Sequence, residues 1–205
     1  MFKEDRQDVE PATLDPDRSA VADAQRDPAR FETLYRRHVA AIYSYTLYEM
    51  RDPHAAEDCT EQVFLQALAG LARFRPGGAD GHGTFRTWLF RIARNVVANE
   101  RRRTRRHPAD PLDPEMPLAA PDDPAEAAVR RDEAARAWAA VARLPDDRRR
   151  ALILRVVEEM SPREIGIVLG RSEGAVRVLV HRALRAVADD LAPDAPAPRV
   201  RWWRR

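Results

Sequence analysis

Residues 161–187 read SPREIGIVLGRSEGAVRVLVHRALRAV, and this stretch predicts two short helices joined by a tight turn. Ser161 and Glu164 stand at the spacing of a capping box, with Pro162 at the first helical position, so a helix begins here. Gly170 can adopt the left-handed conformation that ends a helix, and the serine two residues later can cap the next one. The pattern is typical of a helix-turn-helix motif, although two ordinary core helices would give the same local signals.

The second helix of this motif carries a basic and polar face opposite its apolar side. Arginine side chains on such a face can donate to guanine edges in the major groove or to phosphates. A solvated basic surface is the alternative that the residues leave open. The candidate DNA-binding residues of the motif are Arg171, Ser172, Glu173, Arg177, Val178, His181, Arg182 and Arg185.

Residues 85–106, FRTWLFRIARNVVANERRRTRR, combine an apolar helical stripe with eight arginines and one acid. That density of positive charge is costly through self-repulsion unless a polyanion neutralises it. Aromatic residues beside arginines can stack on single-stranded nucleic acid, whereas Trp88 by its own pattern suits a packing residue. The candidate DNA-binding residues here are Arg86, Trp88, Arg91, Arg94, Asn95, Asn99, Arg101, Arg102 and Arg103.

Helical periodicity on both sides of a proline-rich acidic segment predicts an all-α protein of two small helical domains. An extended, acidic, proline-rich linker would join them. The expected organisation is a disordered segment at 1–27, a first domain at 28–107, a flexible linker at 108–123, a second domain at 124–190 and a basic tail at 191–205.

Several classes of function are excluded by what the sequence lacks. The one cysteine, Cys59, permits no intramolecular disulfide and no thiolate cluster, and the five histidines have no metal-ligand spacing, so we expect no metal and no cofactor. No apolar run approaches the length of a membrane span, and the N-terminus has no hydrophobic signal core, which favours a cytoplasmic location. A nucleic-acid enzyme would need carboxylates or metal ligands near the arginines, and none lies at useful spacing.

Together these stretches resemble the extracytoplasmic-function (ECF) sigma factors, the minimal branch of the sigma-70 family. The sequence FETLYRRH at 31–38 is similar to the opening helix of the family's region 2, and AED at 56–58 to region 2.2. Residues 85–95 are similar to regions 2.3 and 2.4, and the helix-turn-helix at 161–187 to region 4. Their order and spacing make the resemblance stronger than any one piece.

The resemblance implies a protein that binds core RNA polymerase, at the clamp of the β′ subunit and the flap of the β subunit. It further implies reading of the −35 element as duplex, melting of the −10 element and control by an anti-sigma factor. Asp58, Glu61 and Gln62 fall where the family contacts the clamp, although the family commonly has Gln before Glu at the last two positions.

The recognition helix departs from the family at several positions, of which Val178 and Leu179 change the chemistry most. The family often reads S-x-G-T-V-K-S-R-L, whereas residues 172–180 read SEGAVRVLV. Arg177 keeps the basic residue, while Val178 and Leu179 replace the usual serine and arginine, and apolar contact with thymine methyl groups could there replace hydrogen bonding. The alternative function is a helix-turn-helix regulator that binds an operator without polymerase, which leaves the region-2-like stretches unexplained.

Overall fold

The computed structural model describes residues 15–77, 83–106 and 124–191, with the backbone alone for 105–106 and 124–132. These residues form α-helices and no β-strand, which confirms the predicted all-α class. Short 3-10 turns follow α1 and α3, at Pro28–Arg30 and Leu71–Arg73. The helices are α1 (Arg18–Arg26), α2 (Phe31–Met50), α3 (Pro53–Gly70), α4 (Phe85–Arg106), α5 (Pro124–Arg143), α6 (Asp146–Val156), α7 (Pro162–Leu169) and α8 (Glu173–Leu191).

Helices α1–α4 form one unit, called here the N-terminal unit. Helix α3 begins at a local signal: the Asp52 carboxylate accepts hydrogen bonds from the backbone N–H groups of His54, at 2.9 Å, and Ala55, at 3.2 Å. The apolar faces of α2, α3 and α4 meet in a core that includes Ile42 and Phe90, both with no exposed area. This core leaves the outer faces of α3 and α4 to solvent or to the other unit.

Helices α5–α8 form the C-terminal unit, in which α6 and α7 pack against α8. Leu154, Ile165 and Val176 are fully buried between these three helices. Two helical units were predicted and are found. The contact between the two units was not predicted. Helix α4 packs against α7 and α2 packs against α6, so one apolar core runs through both units. The predicted linker at 108–123 and residues 192–205 of the predicted tail lie outside the described residues.

The expectation of disorder over residues 1–27 is wrong from Asp15 onward. Helix α1 buries Val21 and packs against α2. Asp15 accepts a hydrogen bond from the backbone N–H of Phe85 at 2.7 Å, and the side-chain amide of Gln25 donates to the carbonyls of Leu71, at 2.8 Å, and Phe74. The polar side chains of this segment make hydrogen bonds to residues far along the chain. A disordered segment can have the same composition, so composition alone does not distinguish the two cases.

Asp17 is the strongest of these anchors. Its carboxylate is 1% exposed, lies 2.7 Å from the buried ring of His38 and also pairs with Arg37. Burial by itself raises the pKa of Asp17, but the bonds from His38 and Arg37 outweigh it and hold the pKa below its ordinary value. The ionised carboxylate is therefore the form that the fold stabilises.

Asp17→Ala is expected to lower the free energy of unfolding by about 3 kcal/mol, because it leaves the buried His38 side chain without its partner. Asp23→Ala on the same helix removes an exposed pair with Arg26 and should cost less than about 1 kcal/mol. Urea unfolding followed by circular dichroism measures both values. Equal losses in the two variants would contradict the anchoring role of Asp17.

Candidate nucleic-acid interface

The helix-turn-helix forms as its sequence predicts. The Ser161 hydroxyl accepts from the backbone N–H of Glu164 at 3.2 Å, and the Glu164 carboxylate accepts from the backbone N–H of Ser161 at 2.8 Å. Gly170 ends α7 in the left-handed conformation, with φ 66°. The Ser172 hydroxyl then accepts from the backbone N–H of Ala175, which fixes the start of α8. These bonds are local, which is why the sequence alone predicts them.

Helix α8 exposes one continuous polar face. Val176, Val180 and Ala183 are buried, and the candidate residues of the opposite face are exposed: Arg177, Val178, His181, Arg182 and Arg185. Val178 is the apolar member of this face and is 48% exposed. Leu179 does not belong to it, because its side chain packs against the core.

The start of α8 and the turn before it carry their own ion pairs. Arg171 lies 2.9 Å from the carboxylate of Asp147, and Arg177 pairs with Glu173 one turn away. Both pairs are about half exposed, so each is worth little and water or a phosphate can replace the acid. Both arginines therefore lie at the surface, and their present ion pairs do not prevent them from binding another anion.

The candidate residues of α4 fall on different faces of that helix. Helical spacing places Arg91, Asn95, Asn99 and Arg102 along one side, where Asn95, Asn99 and Arg102 are exposed. Arg103 lies further round and pairs with Glu100 at 2.9 Å. The sequence-based set is therefore split between an outer row, in which Arg91 also borders the helix-turn-helix, and a second row that bonds to the C-terminal unit.

The second row, Arg86, Arg94 and Arg101, bonds to the C-terminal unit. Arg86 donates to the backbone carbonyl of Glu158 and Arg94 to that of Val168 at 2.9 Å. Arg101 lies 3.3 Å from Asp146 at the start of α6. Sequence patterns do not predict these bonds, because the two partners of each bond lie more than 40 residues apart in the chain.

Trp88 is held in an aromatic cluster of the N-terminal unit. Its ring lies 4.7 Å from that of Phe74 and 5.6 Å from that of Phe85, centroid to centroid. A Cβ on Gly70 would stand 3.1 Å from the indole, so the ring packs closely on the backbone of α3 there. The packing interpretation of Trp88 is the one that its contacts support.

An open surface cleft of about 460 Å³ lies beside the contact between α4 and the helix-turn-helix. Arg91 lines one wall, while Arg163, Arg171 and Glu173 line the other together with the two glycines of α7 and its C-cap. The candidate surfaces of the two units therefore face a common, positively charged gap.

The outer face of α3 carries the three residues that resemblance assigns to polymerase. Asp58, Glu61 and Gln62 are all exposed, one turn or less apart. Leu65 continues this row and is 54% exposed, which sequence reasoning missed. The signal was available: the buried positions of α3, such as Val63 and Ala67, define a core face that leaves Leu65 outside it.

Glu158 is a buried carboxylate at the contact between the units. It is 6% exposed, and the charged or titratable groups that face it are Arg86 of α4, at 3.5 Å, and Tyr48 of α2. Burial raises the pKa of Glu158 to about 7, because the loss of water outweighs the attraction of Arg86. The proton therefore comes off this group near neutral pH.

Within the part of the chain that the structure describes, no helix is both long and apolar enough to cross a membrane. Within the same residues, no three His, Cys, Asp or Glu side chains are grouped so that they could hold a metal ion.

Comparison with known proteins identifies relatives over both units. The family pattern of sigma-70 region 2 matches residues 34–107, and that of sigma-70 region 4 matches residues 134–187. The ECF RNA polymerase sigma factor SigE of Mycolicibacterium smegmatis is 31% identical over 189 residues, covering 90% of this chain and 71% of that protein. The ECF sigma factor ShbA of Streptomyces griseus is 39% identical over 144 residues, covering 66% of this chain and 73% of its own.

A solved structure has a similar arrangement of helices. CnrH, in complex with the cytosolic domain of CnrY, is 25% identical and superposes with a TM-score of 0.65. The match covers 87% of this chain and 99% of CnrH, so it extends over both units.

The free energy of unfolding is expected to fall as pH rises through about 7, on account of Glu158. The pKa of Glu158 is about 7 in the folded chain and ordinarily 4.5, so the folded chain holds this proton more tightly than the unfolded chain does. The resulting stabilisation is complete below pH 4.5 and is lost once the pH exceeds about 7. Urea unfolding from about pH 5.5 to about pH 8.5 measures the slope. Glu158→Gln cannot ionise, and every other titratable group is the same in the two proteins. Identical pH profiles for the two chains would rule the effect out.

Proposed function

Because this chain belongs to the ECF sigma factors of the sigma-70 family, we propose that it is a promoter-specificity subunit of RNA polymerase that has no catalytic activity of its own. It acts in the cytoplasm, binds core RNA polymerase, reads a −35 element, melts a −10 element and so starts transcription at chosen promoters. The observation that carries this proposal is the match to both sigma-70 regions, in order, on two helical units that each present an exposed polar surface.

The N-terminal unit supplies the −10 contacts. The row Arg91, Asn95, Asn99 and Arg102 on α4 can bond phosphates and base edges, because guanidinium and amide groups point outward there. Trp88 supports this row from the aromatic cluster behind it. The second row of arginines joins these contacts only when its bonds to the C-terminal unit are broken.

The C-terminal unit reads the −35 element with the exposed face of α8. Arg177, His181 and Arg182 supply donors for base edges and phosphates, and Arg185 and the turn residue Arg171 add phosphate contacts. Ser172 and Glu173 stand at the start of the helix, where recognition helices meet base edges. Val178 brings an apolar surface into the middle of this set, which suits the methyl group of a thymine.

The outer face of α3 docks on the clamp of the β′ subunit, and the C-terminal unit lies on the flap of the β subunit. Asp58, Glu61 and Gln62 give α3 a polar, acidic rim, and Leu65 an apolar centre. This is the composition of a protein interface, in which an apolar anchor is surrounded by polar residues. The reversed order of Glu61 and Gln62 leaves these hydrogen-bonding groups on the same face.

An anti-sigma factor is proposed as the regulator. CnrH has this arrangement of helices in its complex with the cytosolic domain of CnrY. A partner of that kind would bind the two units while they are together, and so keep the α4 row and the α8 face from DNA.

Transcription by core RNA polymerase on pooled genomic fragments tests the function. With the purified chain added, RNA 5′ ends are expected at discrete sites that share −35 and −10 elements. Leu65→Arg should lose at least about nine-tenths of these transcripts, because a buried, unpaired charge at an interface centre costs several kcal/mol.

Gln66→Arg, the adjacent exposed residue about 100° round α3, is the matched control and should transcribe normally. Binding of the chain to duplex DNA with no new start sites would instead favour the operator-binding regulator.

Val178 is expected to read a thymine methyl group within the −35 element. Replacing that thymine by uracil, which lacks only the methyl, should weaken holoenzyme binding about fourfold, the value of one buried methyl-sized group. Val178→Ser should bind both DNAs alike. Competition binding over each thymine in turn measures the effect, and uracil outside the element is the control. Equal sensitivity in both chains would exclude this contact.

A further inference from the structure

The start of helix α4 is capped by a residue from the far N-terminal side of the chain. The carboxylate of Asp15 accepts a hydrogen bond from the backbone N–H of Phe85, the first residue of α4, at 2.7 Å. The first N–H groups of a helix have no partner within the helix, and the helix dipole leaves positive charge there. The first turn of α4 contains no acidic residue, so the acid that this helix start attracts comes from outside the helix.

The same side chain also fixes the start of α1. The other carboxylate oxygen of Asp15 accepts from the backbone N–H of Asp17 at 3.0 Å, and the backbone carbonyl of Asp15 accepts from that of Arg18 at 3.0 Å. Helix α1 is in turn tied to α2, because the carboxylate of Asp17 lies 2.7 Å from the ring of His38. The position of Asp15 relative to α4 is therefore set by α1 and α2 together.

Residues 15–26, called here the α1 segment, also hold the other end of the connection between α3 and α4. The side-chain amide of Gln25 donates to the carbonyl of Leu71 at 2.8 Å and to that of Phe74 at 2.9 Å. These carbonyls belong to the 3-10 turn after α3 and to the residue that follows it. The two ends of the connection, Phe74 and Phe85, are thus both bonded to the α1 segment.

Phe74 and Phe85 belong to the aromatic cluster that contains Trp88. Their rings lie 5.7 Å apart, centroid to centroid and edge to face, and both contact the indole of Trp88. The imidazole of His38, which Asp17 bonds, lies 5.5 Å from the ring of Phe85. The α1 segment therefore holds this cluster through backbone bonds at both phenylalanines and through one ring contact.

The outer row of α4 begins a short distance from this start. Arg91 follows Phe85 by six residues, or about 9 Å of helix. Groups that recognise a ligand have to be held to within about 0.5 Å by the residues behind them. An unfolded first turn would shorten the rigid part of α4 and would loosen Trp88, which supports the row. The geometry of the outer row therefore depends on the bonds at the start of its helix.

We propose that Asp15 and Gln25 are positioning residues for the −10 surface, which hold the start of α4 in place and so preorganise its outer row for the melted strand. This rests on the proposed function, since it takes the outer row as the −10 contacts. Neither residue has to touch DNA. Contacts with phosphates carry no sequence information, whereas contacts with bases need accurate geometry. Loss of preorganisation therefore lowers sequence discrimination more than it lowers the affinity for DNA in general.

Four variants of the full-length chain test the proposal. Asp15→Ala removes the cap of α4, whereas Asp15→Asn keeps an acceptor oxygen for the N–H of Phe85 and loses only the charge. Gln25→Ala removes the bonds at the other end of the connection. Asp23→Ala is the matched control, because Asp23 is an acid of the same helix and pairs with Arg26 of that helix.

Hydrogen exchange of backbone amides, measured by mass spectrometry, reports local opening in the chain without polymerase. The N–H of Trp88 donates to the carbonyl of Thr84 at 3.0 Å, so residues 88–91 report on the first turn of α4. We expect exchange there to be about tenfold faster in Asp15→Ala and about threefold faster in Asp15→Asn, because a charged acceptor forms the stronger bond. The control should exchange as the wild type does.

The N–H of Phe74 reports on the other end of the connection. It donates to the carbonyl of Leu71 at 3.0 Å, within the turn that Gln25 holds. Gln25→Ala should therefore speed its exchange about threefold, the effect of one hydrogen bond between neutral groups. Residues 93–98, in the middle of α4, should exchange at the wild-type rate in all four variants.

Binding of the holoenzyme to single-stranded DNA measures the positioning role. One strand carries the −10 element of a start site mapped with the wild-type chain, and the other carries the same bases in scrambled order. We expect the ratio of the two affinities to fall about tenfold in Asp15→Ala and Gln25→Ala, the value of about one base contact. Asp15→Asn should retain most of the ratio, and Asp23→Ala all of it. A role in stability alone would lower the binding of both strands equally and leave the ratio unchanged.

The two readouts and the mapping of start sites give separate outcomes. Equal exchange at residues 88–91 in Asp15→Ala and the wild type would overturn the capping role. Faster exchange with an unchanged ratio of affinities would overturn the positioning role, even where the start sites are intact. A wild-type chain without start sites would remove the sigma function, and with it the −10 surface, whatever the exchange at the start of α4.

Discussion

The buried carboxylate of Glu49 is the constraint on which the arrangement of the two units depends. A carboxylate without access to water needs cations within reach, and its cations come from α4 and α6 together. Moving α6 away would leave Arg149 and Arg150 without this partner and would open the stack of Tyr48 on Trp138. The register of the C-terminal unit on the N-terminal unit is therefore specified by Glu49 and its arginines together with the bonds of Arg86 and Arg94, within a surface that also has apolar contacts.

Arginine is the residue that makes a dual use of α4 possible. Its guanidinium carries five donors, and the same donors bond a carbonyl, a carboxylate or a phosphate without a change in charge state. Arg86 and Arg94 bond carbonyl oxygens at the ends of α6 and α7, where helix dipoles leave partial negative charge. A carbonyl oxygen carries only a partial negative charge, so it binds a guanidinium group more weakly than a phosphate does. A polyanion that approaches from solvent competes on better electrostatic terms, once the units are apart.

Sequence reasoning succeeded where the determining bonds are local and failed where they are not. The capping box at Ser161 and the cap at Asp52 act within four residues, so both helix starts could be read directly. Asp15, Asp17 and Gln25 act on partners much further along the chain, and a polar segment was consequently mistaken for disorder. The split of the α4 arginines into two rows follows from helical spacing, but their partners on the C-terminal unit required the tertiary structure. Leu65 does not belong to the motif residues that the resemblance names, so a comparison of motifs does not find it.

The buried charge cluster of Glu49, Arg101, Asp146, Arg149 and Arg150 is only partly hydrogen-bonded. Among the described residues, Oε1 of Glu49 and Nε of Arg149 have no hydrogen-bond partner although both are buried. An incompletely satisfied buried network contributes less than its charges suggest. It does not need to contribute much, because residues 107–123 join the units covalently and closing is intramolecular, with an effective concentration on the order of millimolar.

The exposed row on α3 is separate from the contact between the units. Asp58, Glu61, Gln62 and Leu65 are exposed, and α3 carries neither Glu49 with its arginines nor the α4–α7 contact. The surface that we propose for polymerase is therefore accessible while the two units are packed together.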